Sequence, residues 1–138
     1  MFELVAGSTH RLKVVAQKHP DLVFVSDVNK GDMDRGGSSS CFDLLAEPKG
    51  VVKGLCSFSY EQLCRFKYLI NASVGGTYSG RLKYLFLCGS VVIQVKYSDD
   101  VGEFYEKAFT PGLHYYIVDT PEEIPALIEH LEVRKSRR

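Results

Sequence analysis

The sequence has no excess of either charge: Lys plus Arg and Asp plus Glu stand at 17 each. Without a global positive field, it has no general means of gathering a nucleic acid or an anionic membrane, and any anion it binds must be held by a local set of donors. It also lacks an apolar run approaching the roughly 18 residues that would cross a bilayer. The opening MFELVAGSTH has neither the charged nor the hydrophobic region of a signal peptide, so neither a transmembrane segment nor an export signal is expected in this chain. Cys41, Cys56, Cys64 and Cys88 match no CxxC spacing and sit in apolar contexts. Buried thiols fit that pattern, with disulfides the alternative in an oxidising compartment. His10 and His19 have no partners at ligand spacing, and no metal site is expected. His114 opens an apolar strand as a hydrogen-bonded structural residue, and His130 faces out from the last helix, so neither reads as a general base.

What is present suffices for one ordinary domain. The chain has 138 residues and 45% hydrophobic content, enough for a single core over 1–138. Leu12, Val15 and Ala16 recur at helical spacing and His19-Pro20 ends the pattern, which predicts a helix near 9–18 followed by a buried strand, LVFVS, at 22–26. The segment 27–57, including GDMDRGGSSS, is rich in Gly, Ser, Asp and Lys and reads as an exposed loop. A short helix near 59–64 leads into a strand, FKYLI, at 66–70, then a glycine-rich turn, SVGGTYSG. RLKYLFLC sets Leu82, Leu85 and Phe86 on one helical face, with Gly89 placed to end the helix before the strand VVIQV at 91–95. Helical residues near 102–109 close at Thr110-Pro111-Gly112, and HYYIV at 114–118 is a further strand. Thr120-Pro121-Glu122-Glu123 is a capping box for the last helix, and the basic tail at 133–138 reads as a solvated end. Alternating helices and continuous apolar strands predict an α/β, Rossmann-like, mostly parallel sheet covered by helices on both faces, with ligands at the carboxyl ends of the strands.

The chemistry concentrates in SVGGTYSGR. A glycine-rich turn between strand and helix lets backbone N–H groups approach an anion, and the helix start adds partial positive charge. Thr77 and Ser79 supply hydroxyls. Arg81 enters the first helical turn, where the dipole disfavours a cation, so an outside anion such as phosphate would account for it. An ordinary strand-to-helix turn with a solvent-facing Arg accounts for the same spacing, since the segment fits neither GxGxxG nor GxxxxGK[ST].

KYLINASVGGTYSGRLKYLFLCGSVVI, followed by GEFYEKAFTPGLHYYIV, closely resembles the core of the Rumi-like protein O-glucosyltransferases, glycosyltransferase family 90. The resemblance is carried by Lys67-Tyr68-Leu69, Gly75, Ser79, Arg81, Leu82-Lys83, Ser90, Glu103, Pro111 and His114-Tyr115. Upstream, GSTHRLKVVAQKHPDLV is similar to the segment that lies beside the donor sugar nucleotide in the family. The sequence departs from the pattern at Gly112, where the family usually has an aromatic residue, and has one extra residue between Tyr68 and Gly75.

The resemblance implies the donor-binding lobe of a two-lobed GT-B glycosyltransferase. Such an enzyme moves glucose or xylose from a UDP-sugar to a hydroxyl of a protein or glycan acceptor, inverting the anomeric centre without a metal or other cofactor. Ser8, Arg11, Gly76, Thr77, Tyr78, Ser79, Gly80, Arg81 and Glu103 would then form the donor site, the two guanidiniums gripping the diphosphate in fixed forks. Tyr78 would pack on the donor or plug the turn, and Glu103 would meet the ribose hydroxyls or remain a helix-start carboxylate. The family's catalytic base belongs to a separate acceptor lobe, and no catalytic residue is expected here. The resemblance further implies a Cys64–Cys88 disulfide, with Cys41 and Cys56 free, and a place in the endoplasmic reticulum or Golgi lumen. Asn71-Ala72-Ser73 is a sequon whose position beside the donor turn disfavours glycosylation. A different reading makes the chain a non-catalytic Rossmann-like domain that binds a nucleotide or a partner protein.

Overall fold

The computed structural model describes residues 2–4, 10–27, 39–40, 50–53, 56–72, 82–96 and 104–137. Six strands form one sheet: β1 (Phe2–Leu4), β2 (Phe24–Asp27), β4 (Gly50–Lys53), β6 (Tyr68–Asn71), β7 (Val91–Val95) and β8 (Tyr116–Val118). Their order is β4-β2-β1-β6-β7-β8 and every pairing is parallel. Counted in chain order within this sheet, that is 3-2-1-4-5-6, the doubly wound order of dinucleotide-binding folds. Two further strands, β3 (Ser39–Ser40) and β5 (Cys56–Ser57), form a separate parallel pair. The expected α/β class and parallel sheet are therefore present.

Helices cover both faces. On one lie α1 (His10–Lys18) and α4 (Ile124–Ser136), whose Leu12, Val15, Ala16, Ile124 and Ile128 pack with Val25, Tyr68, Ile70, Ile93 and Val118. The other face carries α2 (Tyr60–Leu63) and α3 (Leu82–Phe86), with Leu63, Leu82 and Leu85 against Phe66, Leu69 and Val92. The period-two alternation of Tyr68 and Ile70 with Leu69 splits β6 between the two clusters, and β6 is buried along its whole length. Edge-to-face contacts of Phe58 with Phe24, at 5.7 Å between centroids, and with Phe66, at 5.4 Å, extend the second cluster across the sheet.

Local signals explain the element ends. Ser59 caps α2 through the Gln62 N–H, and the Gln62 side chain accepts from the Ser59 N–H at 3.0 Å, a complete capping box. The expected box before the last helix is also present, with Glu123 accepting from the Thr120 N–H at 2.7 Å. Residues Pro121–Glu123 open that helix as a 3-10 turn. Gly89 follows α3 at φ 69°, the left-handed conformation that glycine adopts without a Cβ clash. Gly112 stands at φ 82° in the turn before β8, a left-handed conformation that favours glycine there.

The structure corrects several boundaries. Segment 27–57, expected to be loop, contributes β4 to the main sheet and both strands of the small pair, β3 and β5. Val51 and Val52 supply the strand preference there, too briefly to register as periodicity between flanking glycines. The helix expected near 102–109 is a 3-10 helix, Phe104–Ala108. Strands β6 and β8 each start two residues later than predicted, because Phe66 and His114 belong to the preceding turns. Strand β1 was not anticipated from the sequence: three residues are too few to show a pattern. Residues 133–136 of the expected tail form the exposed end of α4, where Arg134 and Lys135 suit the negative pole of the dipole.

Cys64 and Cys88 are bonded, as the resemblance implied, with Cα atoms 4.6 Å apart. The bond joins the C-cap of α2 to the turn after α3. Cys41 and the side chain of Cys56 lie outside the described residues. On the opposite face, Glu132 of α4 accepts from Tyr68 Oη at 2.7 Å and pairs with Lys67 Nζ, tying the last helix to the start of β6. Burial raises the Tyr68 phenol above its usual range, and the neighbouring Glu132 raises it further.

Two measurements test this scaffold. Closing a loop over a sequence separation of 24 constrains the unfolded chain, so replacing Cys64 and Cys88 together by alanine is expected to cost about 3 kcal/mol in urea denaturation. The Lys67 and Tyr68 hydrogen bonds hold the Glu132 carboxyl below its usual value of 4.5. That stabilisation is present at neutral pH and is lost as pH falls from the unfolded value through the lower folded one. Glu132→Gln should therefore lose less Tm than the parent on acidification; an identical acid limb would remove Glu132 from the account.

Candidate functional site

In a 3-2-1-4-5-6 sheet the winding reverses between the first and fourth strands, here β1 and β6. The chain leaving β1 reaches α1 on one face, and the chain leaving β6 reaches α3 on the other. In open α/β folds such departures leave a crevice at the carboxyl edge of the sheet, the usual ligand position. Segments 5–9 and 73–81 are the connections leaving these two strands. They include Ser8 and the expected phosphate-binding residues Gly76, Thr77, Tyr78, Ser79, Gly80 and Arg81, which lie outside the described residues, as does Glu103.

Arg11 is described. It stands in the first turn of α1, with Nε and Nη2 donating to the two carboxylate oxygens of Glu122 at 3.0 and 2.9 Å. Both side chains are largely exposed, at 60% and 49%. The Arg11 guanidinium, acting through the hydrogen bond first, holds the Glu122 carboxyl below its usual range. Glu122 lies in the turn after β8, also at the carboxyl edge, so the pair joins the starts of two helices that share a face.

At the end of β6 the apolar packing gives way to amides. Asn71 and Gln94 are register partners on β6 and β7, buried to 1% and 6% exposure. Asn71 Nδ2 donates to Gln94 Oε1 at 2.7 Å, and Gln94 Nε2 donates to the Val95 carbonyl at 2.9 Å. The pair fixes the strand end from which segment 73–81 departs. It also removes Asn71 from the surface, which accounts for a sequon unsuited to modification in the folded chain.

Other motif residues are structural. Ser90 Oγ donates to the Phe66 carbonyl at 2.7 Å, and His114 Nδ1 accepts from the Thr110 N–H at 2.8 Å, which leaves the ring proton on Nε2. Both residues precede strands, at the amino edge opposite the crevice. His130 is exposed on α4, as expected. A recess of about 310 Å³ lined by Gly112, Tyr116, Leu131, Arg134 and Lys135 also lies at the β8 start and the end of α4, away from the switch point. Sequence reasoning missed Glu122 and the Asn71–Gln94 pair. Glu122 was read only as part of a cap, and register is needed to see the amides meet. Among the described residues no three His, Cys, Asp or Glu side chains cluster as metal ligands, and no helix is long and apolar enough to cross a membrane.

The model of glycosyl transferase family 90 matches residues 13–137. The chain belongs to this family. Its similarity to the O-glucosyltransferase rumi homolog of Anopheles gambiae is 42% identity over 88 residues, 62% of this chain and 20% of the relative. With O-glucosyltransferase rumi of Drosophila pseudoobscura pseudoobscura it shares 35% over 104 residues, 75% of this chain and 22% of the relative. Protein O-glucosyltransferase 1 of Homo sapiens is 44% identical over 57 residues, 41% of this chain and 14% of that protein. The chain thus spans about a fifth of the length of the first two relatives.

In this family 90 chain, Gln94→Leu would take away the buried acceptor of the Asn71 amide. The expected cost is about 2 kcal/mol of stability in urea denaturation. A neutral result would mean that the amide pair does not hold the end of β6.

Proposed function

We propose that this chain is the donor-binding lobe of a protein O-glucosyltransferase-like enzyme and that it holds a UDP-sugar at the carboxyl edge of its sheet. The observation that carries the reading is the strand order. It makes the segments bearing Ser8 and Gly76 to Arg81 the connections that leave β1 and β6, the strands flanking the switch point. Membership of family 90 and the names of the relatives support sugar transfer as the use of that crevice.

In this reading, backbone N–H groups of the glycine-rich turn and the hydroxyls of Thr77 and Ser79 cradle the diphosphate, while Arg81 and Arg11 neutralise it. Donors preorganised around the diphosphate stabilise the charge that develops as the glycosidic bond to phosphate breaks. The acceptor hydroxyl attacks from the opposite side of the anomeric carbon, which inverts it. Another lobe supplies the acceptor site and the base, and the arginines take the electrostatic role without a metal. The Cys64–Cys88 bond supports an oxidising compartment such as the endoplasmic reticulum or Golgi lumen.

Calorimetric titration of the purified chain with UDP and UDP-glucose tests donor binding without an acceptor. Both should bind, and Arg81→Ala should weaken UDP at least about tenfold, the equivalent of ~1.5 kcal/mol for a charge-assisted hydrogen bond. A folded chain that binds neither ligand would favour a domain that recognises a partner protein and carries no donor.

A further inference from the structure

We infer that Glu122 is a positioning residue for the diphosphate site, holding Arg11 by one edge of its guanidinium so that the other edge faces the phosphates. The inference rests on the donor-binding role proposed for Arg11 and adds a residue that acts through it.

Arg11 is poorly placed to hold one orientation alone. It sits in the first turn of α1, where the helix dipole opposes a cation, and it is a long, exposed side chain that loses rotamer freedom when fixed. Glu122 answers both problems. Its carboxylate takes Nε–H and an Nη2–H in parallel, a geometry that fixes the plane of the guanidinium as well as its distance. Both backbones are anchored: Leu12, next to Arg11, and Ile124, two residues beyond Glu122, are fully buried in one cluster, and Pro121 is buried beside Glu122. The capping bond from Glu123 to the Thr120 N–H fixes the turn that carries Glu122.

A guanidinium has five N–H donors in one plane. With the Nε–Nη2 edge taken, both protons of Nη1 and the second of Nη2 remain on the far side, and no other described residue accepts from them. That edge matches two phosphate oxygens, and lysine would not reproduce it. An incidental surface pair would have no bearing on a ligand, and this is the difference to be measured.

Titration of the parent, Glu122→Gln, Glu122→Asp, Arg11→Ala and the double variant Arg11→Ala/Glu122→Gln with UDP and with uridine separates the alternatives. Glu122→Gln is expected to weaken UDP about fivefold while leaving uridine unchanged. Glu122→Asp should recover part of the loss, and Glu122→Gln should add nothing once Arg11 is alanine. Unchanged or tighter UDP binding by Glu122→Gln overturns the inference, as does an equal loss for UDP and uridine, which would signal a general loosening of the fold. Failure of the parent itself to bind UDP removes the donor-binding reading, and with it this inference. A parent that binds UDP while Glu122→Gln matches it removes this inference alone.

Discussion

The fold turns on the parallel pairing of β1 between β2 and β6. Strands β2 and β4 are added on one side of β1, and β6, β7 and β8 on the other. Because parallel crossovers keep one hand, reversing the direction of winding sends the crossover helices α1 and α3 to opposite faces. Helix α1 therefore lies on one face and α3 on the other, and their starts separate above the paired strand ends. A β1 of only three residues suffices because both neighbours supply hydrogen-bonding partners. The crevice follows from topology, before any particular side chain is considered.

The polar contacts divide between the two edges of the sheet. At the amino edge, Ser90 closes on the Phe66 carbonyl, His114 accepts from Thr110, and Glu132 gathers Lys67 and Tyr68. These bonds fix how helices and turns meet the strands, and they give structural reasons for the Lys-Tyr, Ser and His of the family pattern. At the carboxyl edge, a buried amide pair ends β6 and β7, and an exposed charge pair links α1 to the turn before α4. Part of the resemblance to the family thus rests on residues that hold the amino edge of the sheet together, independently of any ligand.

Legibility from sequence followed the length and periodicity of each element. Helix α1, strand β7, the cap at Thr120 and the stop at Gly89 were readable because each rests on local chemistry spanning several residues. Strands β1 and β4 were not, since three or four residues within a parallel sheet owe their conformation to neighbours far along the chain. The Cys64–Cys88 bond came from resemblance, because spacing alone leaves the pairing of four cysteines open. Arg11 entered the candidate site through the resemblance alone, whereas its partner is 111 residues away and could be found only in three dimensions.

Charge balance gives the Arg11–Glu122 pair its interest. A cation in a first helical turn is opposed by about 0.3–1 kcal/mol, and an exposed ion pair contributes about 0–1 kcal/mol. The two effects nearly offset each other, so folding gains little from placing Arg11 there. A guanidinium that stabilises the fold so weakly, yet has one edge fixed by two hydrogen bonds, is a poor stabiliser whose orientation is already set. In a chain with no net charge to attract phosphate from a distance, such local preparation is the means by which a diphosphate could be held.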